Sequence, residues 1–340
     1  MKKGIKVIGI AISTLCVFGA VSFLNNYNVE ADAVRTRLGG TTRYDTGVEV
    51  SKNGWKKGSG TIVLVCGGDY PDALSAAPLA KKYNAPILLT ESTTLPTSVL
   101  TEINRLKPTK AFIVGGTGVV SSGVENQLKG KGISVERLGG ISRYETAVKV
   151  ANKVGTANGV VVASSAGFSD ALSIAPVAAN LGMPILLSER DNYDSYNKTF
   201  VQSNTISKTY VIGGYGVISN ANMNNYKNPV RIGGINRYET NVNVLNAFKD
   251  NIDLSKIYIA TGVNFPDGLV GAPIAALTSS PIVLIEESGS YNTVTLEKLK
   301  GMKSNEVLML GGTGVISNSI VDKIIESVNY EEIFNVISIE

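Results

Sequence analysis

Four phrases each recur three times at nearly constant spacing, so this chain must fold as one unit built repeatedly. RLGGTTRYDT (residues 37–46) returns as RLGGISRYET (137–146) and RIGGINRYET (231–240). GDYPDALSAAP (from Gly68), AGFSDALSIAP (from Ala166) and VNFPDGLVGAP (from Val263) lie 98 and 97 residues apart. APILLT, MPILLS and SPIVLI, and then VGGTGVVS, IGGYGVIS and LGGTGVIS, keep step with them. A period near 98 exceeds a solenoid unit of about 20–50 residues and matches a small domain. Any function must therefore be one that three similar sites can share.

Each copy reads as strands alternating with helices. In the second copy GVVVA (159–163) is a β-branched run suited to a strand covered on both faces. Asp170 then opens a helical stretch as its N-cap, and Gly182 closes it. PILL (184–187), TYVI (209–212) and VRI (230–232) are further short strands. Residues 192–203 are polar and ambiguous, 217–225 read as a short helix, and a helix starts at Arg237 and runs to about Lys249. This order predicts an α/β fold of three similar modules with mainly parallel sheets. The expected divisions are a signal segment at 1–33 and modules at 34–133, 134–229 and 230–340. The joins carry no Pro/Ser-rich linker, so the modules should pack on each other, and three such units can close as a pseudo-threefold ring. The tail strand at 335–339 resembles the strand that precedes RLGG and is expected either to complete the third module or to be the stub of another.

The N-terminus has an export pattern: Lys2 and Lys3, an apolar stretch from Ile5 to Leu24, and Ala31-Asp32-Ala33 as a cleavage site. Cleavage would leave Cys66 as the single cysteine, in an apolar strand where it reads as a small core residue. The chain has no histidine, which removes Ser-His-Asp and Cys-His nucleophile pairs and the usual zinc hydrolase sites. The formal charge is +4, and losing three lysines and two acids within 1–33 leaves +3. That mild balance permits an anionic partner, and no basic arm points to nucleic acid.

The recurring positions carry two readings each. The Gly pairs at 39–40, 139–140 and 233–234, and at 115–116, 213–214 and 311–312, either allow close strand–helix packing or cradle an anion. Arg43, Arg143 and Arg237 suit phosphate or carboxylate, and Tyr44, Tyr144 or Tyr238 after them offers a sugar ring a stacking face. They suit equally an internal pair with Asp45, Glu145 or Glu239, or packing between modules. Asp72, Asp170 and Asp267 are helix caps or site carboxylates. A two-carboxylate reaction shared by all copies is disfavoured, because Asp69 has Gly167 and Asn264 at the matching positions.

Together these phrases resemble the cell-wall-binding type 2 repeat, with its RLxGxxRYxTA and PILL motifs, over residues 36–327. The resemblance implies toprim-like modules packed as a trimer. It also implies non-covalent attachment to an anionic cell-wall polysaccharide or teichoic-acid-like polymer. No enzymatic activity, cofactor, metal or stable membrane association after signal removal is expected. The resemblance carries polymer recognition to Pro86, Ile87, Leu88 and Leu89, to Pro184, Ile185, Leu186 and Leu187, and less closely to Pro281, Ile282, Val283 and Leu284. Copy three departs further at Ile232, Asn241 and Gly268, so its site is expected to be the weakest. The competing readings are a wall carbohydrate enzyme using the strand-end aspartates and a surface adhesin. Signal and modules together occupy the sequence, which speaks against an added catalytic domain.

Overall fold

The computed structural model describes residues 33–286 and 292–330. The expected signal segment up to Asp32 and the tail strand at 335–339 lie outside them. Strand β1 (Val34–Leu38) and helix α1 (Arg43–Gly54) carry the first RLGG–RYDT phrase. Next come β2 (Thr61–Cys66), a 3-10 turn (Asp72–Ser75) leading into α2 (Ala76–Lys82), β3 (Ile87–Thr90), α3 (Thr97–Leu106), β4 (Lys110–Val114) and α4 (Ser122–Gly130). The second copy contributes β5 (Ser134–Leu138), α5 (Arg143–Val154), β6 (Val160–Ser164), α6 (Ser169–Leu181), β7 (Ile185–Ser188), α7 (Ser195–Ser203), β8 (Thr209–Ile212) and α8 (Asn220–Met223). The third contributes β9 (Pro229–Ile232), α9 (Arg237–Ala247), β10 (Lys256–Thr261), α10 (Pro266–Leu277), β11 (Ile282–Ile285), α11 (Asn292–Leu299), β12 (Glu306–Leu310) and α12 (Asn318–Val328).

The strands form three parallel four-stranded sheets, ordered β3-β2-β4-β5, β7-β6-β8-β9 and β11-β10-β12-β1. The first three strands of each sheet belong to one copy, and the fourth opens the next copy. Strand β1 returns to the third sheet, with Val34 opposite Glu306 and Leu38 opposite Leu310. The division at 133/134 therefore separates a sheet from its fourth strand, and that at 229/230 falls after the first residue of one. The place beside β12 expected for the tail is held by β1. The RLGGxxRYxT phrase spans two modules: its strand lies in one sheet, and its helix covers the edge strand of the next. Thus α1 lies on β3, α5 on β7 and α9 on β11.

The central strands are apolar because both faces are covered. Ile62, Val63, Leu64 and Val65 are all fully buried, and the third copy repeats this with Ile257 and Ile259. Helices α2, α6 and α10 pack against one another pairwise. Where their N-terminal turns meet, Tyr70, Phe168 and Phe265 stack with ring centroids 5.7, 5.6 and 6.2 Å apart. Such geometry is worth about 0.5–1.5 kcal/mol per pair beyond simple burial. Tyr70 also donates its hydroxyl to the carbonyl of Ala166 in the second copy.

Local differences have simple causes. Gly182 ends α6 with φ of 66°, as expected of a C-cap. Asp170 is not the N-cap: Phe168 holds that place without a side-chain bond, which leaves the Asp170 carboxyl for another task. The polar segment 192–203 does form a helix, capped by Asp194. The stretch 217–225 supports only the short α8.

Candidate functional site

The connections leave in opposite directions along the sheet from β2 and β4, from β6 and β8, and from β10 and β12. With the usual right-handed crossovers, the helices that follow such a strand pair cover opposite faces. The crevice at the carboxyl ends of such strands is where open α/β sheets bind ligands. Three clefts of about 540, 490 and 710 Å³ lie at these positions. Each draws its residues from two copies. The first combines Asp72 and Gly116 with Gly140 and Arg143. The second-to-third cleft combines Asp170 and Gly214 with Gly234 and Arg237. The third-to-first cleft combines Asp267 and Gly312 with Gly40 and Arg43.

The glycine pairs let the two strand-end loops touch. A Cβ on Gly39 would sit 2.5 Å from the carbonyl carbon of Gly311, and one on Gly233 2.5 Å from that of Gly213. Gly115, Gly213 and Gly311 have φ of 128°, 113° and 116°, and a Cβ on any of them would meet the Asp carboxylate. The first arginine of each phrase holds this loop. Nη1 of Arg137 donates to Gly115 O (2.9 Å), of Arg231 to Gly213 O (2.8 Å) and of Arg37 to Gly311 O (3.1 Å).

The second arginine stands at the cleft wall. Nη1 of Arg43 donates to Gly67 O (2.5 Å), that of Arg143 to Ser165 O (2.8 Å), and that of Arg237 to Gly262 O. Arg43 lies 5.7 Å from the Phe265 ring centroid and Arg237 5.5 Å from that of Phe168, within cation–π range. The internal pairs with Asp45, Glu145 and Glu239 do not form. Those acids cap their own helices, accepting from the N–H of Thr42, Ile141 and Ile235. Each Arg therefore keeps guanidinium N–H groups with no protein partner among the described residues.

The aspartates sit under the glycine loops. Thr46, Thr146 and Thr240 accept the N–H of Gly40, Gly140 and Gly234 at 3.2, 3.0 and 3.0 Å. Thr46 also hydrogen-bonds Asp267, and Thr146 hydrogen-bonds Asp72. Burial pushes the carboxyls of Asp170 and Asp267 up to about 6, against the pull of Arg237 on the first and of Thr46 and Arg43 on the second. Asp72 is shifted upward for the same reason, moderated by Thr146 and Arg143. Asp69 reaches only the first cleft. Among the described residues no group of three or more Asp, Glu and Cys side chains converges to hold a metal.

The sequence-predicted residues divide sharply. Arg43, Arg143 and Arg237 reach the clefts. Tyr144 lines its cleft, but its hydroxyl is bound to Glu189 (2.9 Å) and meets Ser165 at 3.1 Å. Tyr44 and Tyr238 turn onto the backbone of Gly67 and Gly262, where a Cβ would strike their rings. The PILL positions do not form a surface. Pro86 to Leu89, Pro184 to Leu187 and Pro281 to Leu284 are all buried, so they give the sheet its covered edge and offer a ligand no contact area. Asn241 has a structural explanation: its amide bonds Ile282 O (2.9 Å) and Leu284 N (3.0 Å) of the edge strand β11. Of the two readings of the aspartates, cap or site carboxylate, the glycine loops folding over them fit the second. The Thr after each RY-acid was overlooked, although it recurs three times.

The chain matches the cell wall binding domain 2 (CWB2) family at residues 37–125, 137–223 and 231–321. It belongs to that family. The CWB2 chain is 35% identical over 326 residues to N-acetylmuramoyl-L-alanine amidase LytC of Bacillus subtilis (strain 168), covering 96% of this chain and 64% of that protein. It is 33% identical over 306 residues to the amidase enhancer of the same strain, covering 87% and 42%. Among solved structures, Cwp6 from Clostridium difficile superposes with a TM-score of 0.82 at 30% identity, over 92% of this chain and 51% of Cwp6. Cwp8 from the same organism gives 0.76 at 29%, over 87% and 52%. The chain thus spans about two fifths to two thirds of the length of these relatives. The three CWB2 matches begin at Arg37, Arg137 and Arg231, so each begins in the strand that its neighbour's sheet takes as its fourth. Among the described residues no helix is long and apolar enough to cross a membrane.

Proposed function

We propose that this is an exported wall protein that holds an anionic secondary polymer of a Gram-positive wall non-covalently in its three inter-module clefts. The observation that carries this reading is the threefold recurrence, within a CWB2 chain, of one cleft design. Each sets an arginine having unused donors at a strand-end crevice shared by two copies. Arginine forks suit phosphate or carboxylate substituents. The cyclic helix contacts support a pseudo-threefold arrangement. In that arrangement, three modest sites on one repetitive polymer gain through effective concentration.

We read the chain as a binding protein without catalysis of its own. Asp72, Asp170 and Asp267 are tied to threonines or buried under glycine loops, and only the first has an aspartate neighbour in its cleft. Sedimentation with purified Gram-positive walls tests the proposal. The protein should co-sediment with intact walls and stay in solution with walls stripped of anionic polymer. Equal retention on both would overturn it.

A further inference from the structure

The three clefts share a floor but differ at the rim. The residue at the tip of the strand-end loop is Thr117 in the first cleft, Tyr215 in the second-to-third and Thr313 in the third-to-first. From the neighbouring copy the clefts are lined at the matching position by Ile141, Ile235 and Thr41. In the second-to-third cleft Tyr215 is 74% exposed and Ile235 93%, and Val217 beside them is exposed as well. This is also the largest cleft, at about 710 Å³. Tyr215 makes no hydrogen bond and no ring contact among the described residues, so neither local packing nor a hydrogen bond accounts for an aromatic side chain there. Grouped exposed apolar side chains mark a binding surface.

We propose that the cleft between the second and third modules is a saccharide-stacking site. The ring of Tyr215 receives the apolar face of a pyranose of the wall polymer, Ile235 flanks it, and Arg237 takes the anionic substituent. The proposal rests on the wall-polymer reading above and adds a division of labour: the other two clefts expose aliphatic side chains, Ile141 and Val263, but have threonine and no aromatic ring at the loop tip. The chemistry matches what a sugar ring presents. Its C–H face needs a flat apolar platform, which tyrosine supplies with little conformational freedom to lose. Its substituents need donors, and Arg237 uses Nη1 on Gly262 O while its remaining N–H groups are without protein partners among the described residues. Glu239, on the same helix, is occupied by the N–H of Ile235, and Asp170 on the cleft floor is the carboxyl that Arg237 attracts without a hydrogen bond between them.

The test is a titration of soluble polymer fragments, released from purified Gram-positive walls, into the protein by calorimetry. Tyr215→Ala should weaken binding by about 2- to 10-fold, the range expected for loss of one aromatic contact. Its melting temperature should be unchanged, since the side chain is largely exposed and makes no hydrogen bond among the described residues. Tyr215→Phe and Tyr215→Trp should stay within about twofold of the parent, because the ring and not the hydroxyl acts. Thr117→Tyr should tighten binding by building the platform in the first cleft. If Tyr215→Ala binds the fragments as the parent does, the stacking site is refuted while the wall-binding reading stands. An equal loss in Tyr215→Phe refutes it too. A parent protein that does not bind the fragments at all refutes both. Unchanged fragment affinity together with loss of self-association, seen by analytical ultracentrifugation, would mark the patch as a protein contact and overturn the proposal.

Discussion

The PILL strands and the seams that join modules are equally repetitive in sequence, yet they stand at opposite ends of accessibility. The PILL side chains lie in the core and have no freedom to meet a partner. The seams gather glycine loops, an aspartate that is half-buried or buried, a threonine and an arginine from two different copies around open clefts. Duplication preserves both, for different reasons. A core strand must fill its space to within a methylene, whereas a seam must leave space, which is why glycine dominates there.

Replacing Arg43, Arg143 and Arg237 together by alanine should separate the two kinds of region most clearly. Each loses a charge-assisted donor worth about 1.5–3 kcal/mol, so wall retention should fall by more than a hundredfold in a co-sedimentation assay. The melting temperature should fall only modestly, because Arg43 and Arg237 also hold loop carbonyls and rest on rings. Retention within threefold of the parent would end the seam assignment. Leu88→Ala makes the reverse change. It should cost about 2–5 kcal/mol of stability by denaturant unfolding, with unaltered retention at temperatures where the variant stays folded. A selective loss of binding would return the PILL strand to the site.

Asp267→Asn sharpens the comparison inside one seam. The folded carboxyl titrates near 6, above its ordinary value of 3.8. The folded state therefore holds a proton that the unfolded chain has released, and stability falls as pH rises from about 4 to about 6. Two units set an upper limit of about 3 kcal/mol. The variant should be more stable than the parent at pH 7.5, by about 1–2 kcal/mol, and its melting temperature should vary less between pH 4 and 6. A steeper profile would mean that the ionised form, favoured by Arg43, is the one that holds the seam.

Much of the fold was legible before the structure. Short apolar runs, the Gly182 stop and the polar turns mark the elements, because local pattern decides them. Strand partnership was not legible, since nothing local in Ser134–Leu138 says which sheet takes it. Parallel pairing is a choice between distant neighbours, and β5, β9 and β1 all chose the sheet of the preceding copy. The role of the aspartates was hidden for a similar reason. An Asp opening a helix looks like a cap, and only the loop from another strand, folded over Asp170, shows that its carboxyl serves the seam instead. The weakness expected of copy three does not follow from Asn241 or Val283, which are buried in structural roles.

The docking of β1 beside β12 has a consequence for how the molecule is made. Val34 is among the first residues of the described chain to be synthesised, and its partner Glu306 is among the last. The first strand must wait unpaired while two complete sheets assemble, and its arrival closes the last cleft. Contacts of such long sequence separation are slow to form. Until then the edge of β12 stays open as a template for another chain's strand. A second molecule's β1 fits that edge as well as the molecule's own, so crowded, slow folding should yield strand-exchanged dimers.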